Sequence, residues 1–250
     1  PMPLLNDPTH VELIAALKKI PQKIKTPKSI IVVSAHWEEA GFIITGAKQP
    51  ELIYDYYGFP RESYAIKYPA PGNPDLADLI HKTLTDEGLT AAVDPYRGFD
   101  HGVFVPLKLM YPEANIPCVQ VSLNRNLDAR SHIQLGKALA KLNVEDCLII
   151  GSGLSFHNLR AFFSPSTAEM ARLNREFESW LNKTCCTREL SENERENILV
   201  QWQLAPGAQF CHPRPEHLIP LHVCYGVAQS SAKEVLHSKI MGKESSCIIW

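Results

Sequence analysis

The stretch "SIIVVSAHW", Ser29–Trp37, decides the fold. Ile30–Ala35 runs apolar without the alternation of a half-exposed strand. That pattern belongs to a strand buried on both faces of a sheet. It ends on His36. A histidine at that point is either a core residue with both ring nitrogens satisfied or a ligand at the rim of the sheet.

Working outward, Cys147–Ile150 is a second strongly apolar run, followed by "GSGLSFHN", which brings in His157. Phe42–Gly46 reads as the neighbour of the first strand, and Ala91–Val93 and Pro117–Leu123 as two more. Between them lie helical patterns. Residues 8–20 open at Pro8 and place Val11, Ile14 and Leu17 on one side. Pro74–Asp86 does the same with Leu76, Leu79, Ile80 and Leu84. Asp128–Leu142, residues 164–183 and residues 215–229 read as further helices, the last with Pro215 in its first turn. Residues 185–200 are polar and read as loop or helix. Strands alternating with helices predict an α/β fold: a three-layer sandwich with a central, mostly parallel twisted sheet and helices on both faces. No linker interrupts residues 1–250, so one domain is expected. Residues 50–73 are dense in Tyr, Pro and Gly and read as a structured loop of the kind that covers a site. Residues 97–104, "RGFDHGVF", read as a Gly-bracketed loop.

Composition narrows the function. The 25 basic and 27 acidic residues leave a net charge of −2, which argues against a broad nucleic-acid surface. No apolar run reaches the ~18 residues of a membrane span, and no secretory signal is visible. The seven cysteines contain no C-x-x-C and fit reduced thiols, so a cytoplasmic protein is expected.

Ten histidines remain to be placed. His36 follows a buried strand and His157 follows another. His101 sits in the Gly-flanked loop, and His217 follows Pro213 and Pro215. Sites in open α/β sheets form beyond the carboxyl ends of the strands, so parallel neighbours would carry His36 and His157 to one rim. His10, His81, His132 and His237 lie in or beside helical patterns and read as surface or boundary residues. In "HPRPEHLIPLH" the spacing of His212, His217 and His222 is five, which turns a helix by about 140°. At most one of the three should then reach the rim. Position favours His217, with His222 packed along the helix. There is no H-E-x-x-H, P-loop, G-x-G-x-x-G or G-x-S-x-G motif.

Five segments in order carry a resemblance: "VVSAHW" (Val32–Trp37), "YPAPGNPDLA" (Tyr68–Ala77), "GFDHGVFVPLKLMYPEANIPCVQVSL" (Gly98–Leu123), "IIGSGLSFHNLR" (Ile149–Arg160) and "HPRPEHLIPLHV" (His212–Val223). Together they resemble the class III extradiol ring-cleaving dioxygenases, in the DOPA 4,5-dioxygenase-like branch. The resemblance implies one α/β domain around a non-haem divalent metal held by three histidines. The first would come from a His-Gly motif after an N-terminal strand. It should stand just before "PMPLLND" (Pro1–Asp7), upstream of this sequence. The second matches His36 and the third His217. The histidine matching His157 lies beside the metal as acid/base and is sometimes counted as a ligand. The one matching His101 lines the substrate pocket. Close relatives often carry histidine where Tyr54 stands, a departure that bears on substrate preference.

That chemistry calls for a redox-active metal with open positions, which points to Fe(II). Zn(II) suits the same imidazoles but has no redox chemistry. The expected partners are a catechol, DOPA or a relative, and O2. The Tyr/Pro-rich loop, with Tyr54 and Tyr68, is expected to wall the aromatic ring. Arg61, Lys67 and Arg160 read as solvated cations. Two alternatives stay open: a zinc-dependent hydrolase, and a non-catalytic small-molecule-binding protein on the same fold.

Overall fold

The computed structural model describes residues 1–250. Five strands form the central sheet: β1 (Ser29–Glu39), β2 (Phe42–Thr45), β3 (Ala91–Asp94), β4 (Cys118–Asn124) and β5 (Cys147–Ser152). Their order is β3-β2-β4-β1-β5. β1 runs parallel to β4 and β5, and β2 parallel to β3. β2 meets β4 antiparallel, through Ile44 and Val121. The mostly parallel α/β sheet is the one expected. β2 is not the neighbour of β1, however. β4 is buried along nearly its whole length and needs hydrogen-bond partners on both edges, so it takes β1 on one side and β2 on the other.

The helices are α1 (Val11–Lys19), α2 (Pro74–Asp86), α3 (His101–Met110), α4 (Ala129–Leu139), α5 (Leu159–Phe162), α6 (Ala168–Cys186), α7 (Glu192–Val200), α8 (Ala208–Cys211) and α9 (Ile219–Ala228). The two faces of β1 divide the core as its continuous apolar run requires. Ile31 and Val33 join a core built with α2, α4, α6 and α9. Ile30 and Val32 join a second core with Phe99, Val103, Phe104 and Leu107, roofed by Ile66, Tyr68 and Ala70 of the Tyr/Pro-rich loop. A hairpin, β6 (Glu234–Ile240) and β7 (Lys243–Ile249), turns at Met241-Gly242 and stands apart from the main sheet. Both turn residues have positive φ, the geometry that suits a two-residue hairpin. It lies beyond the predicted elements.

Three local expectations are corrected. The "RGFDHGVF" stretch is loop only to Asp100, which caps α3 by accepting the Gly102 N–H, so His101 is the first residue of a helix. The last long helix starts at Ile219 rather than 215, leaving His217 in the preceding turn. Pro220 is the cause. It is tolerated in a first turn, but deeper in a helix its ring would strike a carbonyl one turn back. His132 is buried rather than peripheral. Its Nε2 accepts the Asn124 N–H at 3.1 Å, and its Nδ1 lies 2.6 Å from the Asp128 carbonyl, so both nitrogens are satisfied.

Candidate metal centre

β1 breaks register with β4 between Val33–Val121 and Glu38–Leu123: five steps on one strand pass two on the other. This bulge carries Ser34–Trp37 off the β4 ladder, while Ser34 stays paired with Ser152 of β5, and aims His36, a common use of bulges beside sites. The backbone N–H of His36 donates to Ser34 Oγ at 3.2 Å, and Ser34 Oγ donates to Asp100 Oδ1 at 2.8 Å. Asp100 also accepts from Arg97 and from the Gln120 amide. Gly102 lets α3 approach this bulge. A Cβ there would stand 2.2 Å from Ser34 Oγ and 3.1 Å from the His36 ring. The result is His101 beside His36, ring centroids 3.9 Å apart.

The other half of the cluster comes from the opposite direction. The loop leaving β5 brings His157, whose N–H donates to the Cys211 carbonyl at 3.0 Å. The turn before α9 brings His217. The Leu154 N–H donates to the His217 carbonyl at 2.9 Å and ties the two segments. The His157 and His217 rings stack at 3.3 Å between centroids, and His217 meets His36 edge-on at 4.9 Å. His36, His101, His157 and His217 thus form one contiguous cluster on the carboxyl-end side of the sheet, with His36 still within β1. His212 and His222 are buried elsewhere, against the Ser155 and Leu199 carbonyls.

Two carboxylates join them that the sequence analysis does not single out. Asp55 lies 2.8 Å from His101 Nδ1 and 3.7 Å from His36 Nδ1. Glu216 lies 2.9 Å from His217 Nδ1 and 3.2 Å from His157 Nδ1. Glu216 had a visible signal, the Glu-His pair at 216–217. Asp55 had none, being 46 residues from His101. Within His36/Asp55/His101, and again within His157/Glu216/His217, the ligating atoms lie within 4.8 Å of one another.

The electrostatics suit a divalent cation. Burial, helped by the charges His101 and His217 would carry, pushes His36 down to about 2. Burial likewise pushes His217 down to about 4. Both are therefore neutral imidazoles with a free lone pair, the form that binds metals. Burial would raise Asp55, but its hydrogen bonds with His101 hold it below the usual carboxylate range. The donor set of neutral imidazoles ringed by anionic carboxylates fits a borderline divalent metal.

The aromatic wall is distributed unevenly. Tyr54 packs against Tyr56, Tyr64 and Phe104 and donates its hydroxyl to the Ile66 carbonyl at 2.6 Å. Tyr68 is 2% exposed and donates to the Tyr111 carbonyl, so it lies inside the core rather than beside the histidines. The tyrosine that does touch the cluster is Tyr56, edge-on to His101 at 5.4 Å. Arg61, Lys67 and Arg160 are exposed, as expected.

An open α/β sheet with a histidine–carboxylate cluster at its carboxyl rim defines a class, the metal-dependent α/β enzymes. Comparison with known proteins narrows it. A family model described as the catalytic LigB subunit of aromatic ring-opening dioxygenase matches residues 6–246. The dioxygenase tasH of Hapsidospora irregularis is 42% identical over 253 residues, covering 93% of this chain and 76% of that protein. The 4,5-DOPA dioxygenase extradiol of Beta vulgaris is 42% identical over 217 residues, 86% of this chain and 78% of the relative. Among solved structures, an uncharacterized protein from Escherichia coli K12 superposes with a TM-score of 0.73 at 26% identity. That match covers 95% of this chain and 92% of that one. The chain belongs to the LigB family of aromatic ring-opening dioxygenases. It is an extradiol ring-cleaving enzyme, dependent on a non-haem metal and acting on a small aromatic substrate with O2. The hydrolase and non-catalytic alternatives find no support in these relatives. No helix is long and apolar enough to cross a membrane.

Proposed function

We propose that this enzyme opens the ring of DOPA or a closely related catechol, with Fe(II) as its working metal. The observation that carries the reading is the convergence of the His36, His157 and His217 rings from three separate segments, His217 buried and the other two half-buried. The naming of the Beta vulgaris relative as a 4,5-DOPA dioxygenase extradiol supports the substrate class. His36 and His217 hold the metal, with His157 beside them. Bound iron supplies the redox chemistry that brings dioxygen and a catechol together; zinc in the same imidazoles does not.

The chain's own residues do the rest. The His157 ring takes a proton from the catechol hydroxyl and returns one as the ring opens. His101 is held by Asp55 and hydrogen-bonds the oxygen on which charge develops. The Tyr/Pro-rich loop walls the substrate. Tyr54 contributes ring surface, and Tyr68 supports that wall from the core beneath it. Residues 1–250 belong to one extradiol dioxygenase-like domain. The seven free cysteines suit a reducing compartment, and we assign the enzyme to the cytoplasm.

The test loads the full chain anaerobically with Fe(II), then adds DOPA or protocatechuate with O2. A yellow ring-opened product with stoichiometric oxygen uptake is expected, and none with zinc. His36→Ala and His217→Ala should each lose the metal. Iron and turnover retained in both variants would overturn the assignment.

A further inference from the structure

We propose that Glu216 is a positioning residue that locks His157 and His217 in one tautomer, Nδ1–H toward the carboxylate and Nε2 unprotonated. The use of those two Nε2 atoms rests on the functional reading above; the tautomer does not.

The geometry carries it. A single oxygen, Glu216 Oε1, stands 2.9 Å from Nδ1 of His217 and 3.2 Å from Nδ1 of His157. The two rings are stacked 18° from parallel, so they present the same edge to that oxygen. An ionised carboxylate only accepts, so each Nδ1 must bring its own hydrogen. A neutral imidazole has one N–H, which leaves Nε2 bare on both rings. Glu216 is 9% exposed, and its other oxygen lies 3.3 Å from the Arg214 guanidinium. Arg214 is itself gripped by Glu38 of β1 in a fork of two 2.6 Å bonds. The carboxylate is thus backed by a cation anchored two residues beyond His36.

This separates Glu216 from a metal ligand. Oε1 is engaged by the Nδ1 of His217 and lies within ion-pair distance of the Nδ1 of His157, and Oε2 faces Arg214. Asp55 is the contrast. Its Oδ1 takes the backbone N–H and Nδ1 of the single residue His101, while His36 stands off at 3.7 Å. Only Glu216 couples two rings.

The test begins with histidine 15N NMR on the metal-free wild-type chain, signals assigned with His157→Gln and His217→Gln. Nδ1-protonated tautomers for both residues are expected; an Nε2-protonated form of either overturns the proposal. Calorimetry with zinc alone follows on Glu216→Gln, which keeps the volume but sets an amide N–H2 against either the imidazoles or Arg214. Affinity should fall about 10–100-fold with little change in melting temperature. Glu216→Asp should recover part of the loss. Wild-type affinity and tautomers in Glu216→Gln overturn the proposal. The wild-type spectrum decides the tautomer even where the variant fails to fold. A wild-type chain with both Nδ1-protonated rings and bound metal that opens no catechol supports this assignment and refutes the functional reading.

Discussion

The α-carbon of Gly153 is packed against the carbonyl oxygen of His217: a Cβ built there would stand 2.1 Å from that oxygen. The neighbouring Leu154 N–H donates to the same oxygen. The loop that delivers His157 and the turn that delivers His217 are therefore joined backbone to backbone. Gly153→Ala must push them apart. Overpacking of this kind costs about 1–3 kcal/mol, measurable as a lower urea midpoint. Zinc binding should weaken by about tenfold, since the His217 ring moves with its backbone. Unchanged affinity in a folded variant would show that the contact does not position the ring.

Asp100 is the corresponding fixture on the other side. It is fully buried and gathers Ser34 Oγ, the Gly102 N–H, the Gln120 amide and Arg97. Asp100→Ala leaves these groups facing one another without an acceptor and removes the cap of the helix that begins with His101. The expected loss is about 3 kcal/mol, in the range for several orphaned donors and a lost cap. Asp100→Asn keeps the capping oxygen and should lose less. Equal losses in the two variants would place the effect in the charge, not the cap.

How far these features can be read from sequence depends on where their cause lies. β1 was legible because a non-alternating apolar run flanked by helical periods has few solutions in an α/β chain. Its pairing was not, because β4 lies between β1 and β2 for reasons set by its own buried edges. The bulge at Ser34–Trp37 leaves no local mark, yet it aims His36. The start of α9 was legible in principle from Pro220. The histidines were recoverable because each stands near a strand end or a turn signal, although β1 does not stop at His36 as expected but runs on to Glu39. Asp55 was not, since only the folded path of the Tyr/Pro-rich loop brings it to His101.

His132 gives the protein an acid sensitivity unconnected with the metal centre. Burial pushes it down to about 4 from an ordinary 6.5. Between those values the unfolded chain binds a proton that the folded chain refuses, so stability falls as pH drops through the window. At about 1.4 kcal/mol per unit the ceiling is roughly 3 kcal/mol by pH 4. His132→Gln should be less stable at pH 7, for want of its two backbone partners, and should show a shallower loss on acidification. A parallel loss would move the acid sensitivity to other groups.

Glu178 on α6 works in the opposite direction. Burial pushes its carboxyl up to about 7, against the pull of the Ser155 and Ser246 hydroxyls. Its folded pKa exceeds the unfolded 4.5, so between those values the folded chain holds a proton the unfolded chain has released. That contribution is complete below pH 4.5 and is lost as pH rises through 7. At pH 8 the wild type carries a buried charge that glutamine does not. Glu178→Gln should therefore gain stability at pH 8, up to about 3 kcal/mol, and change little at pH 5. Urea midpoints of wild type and variant across pH 5–8 check this: the two curves should converge toward acid. A constant offset across that range would mean that Glu178 acts through its hydrogen bond with Ser246 alone.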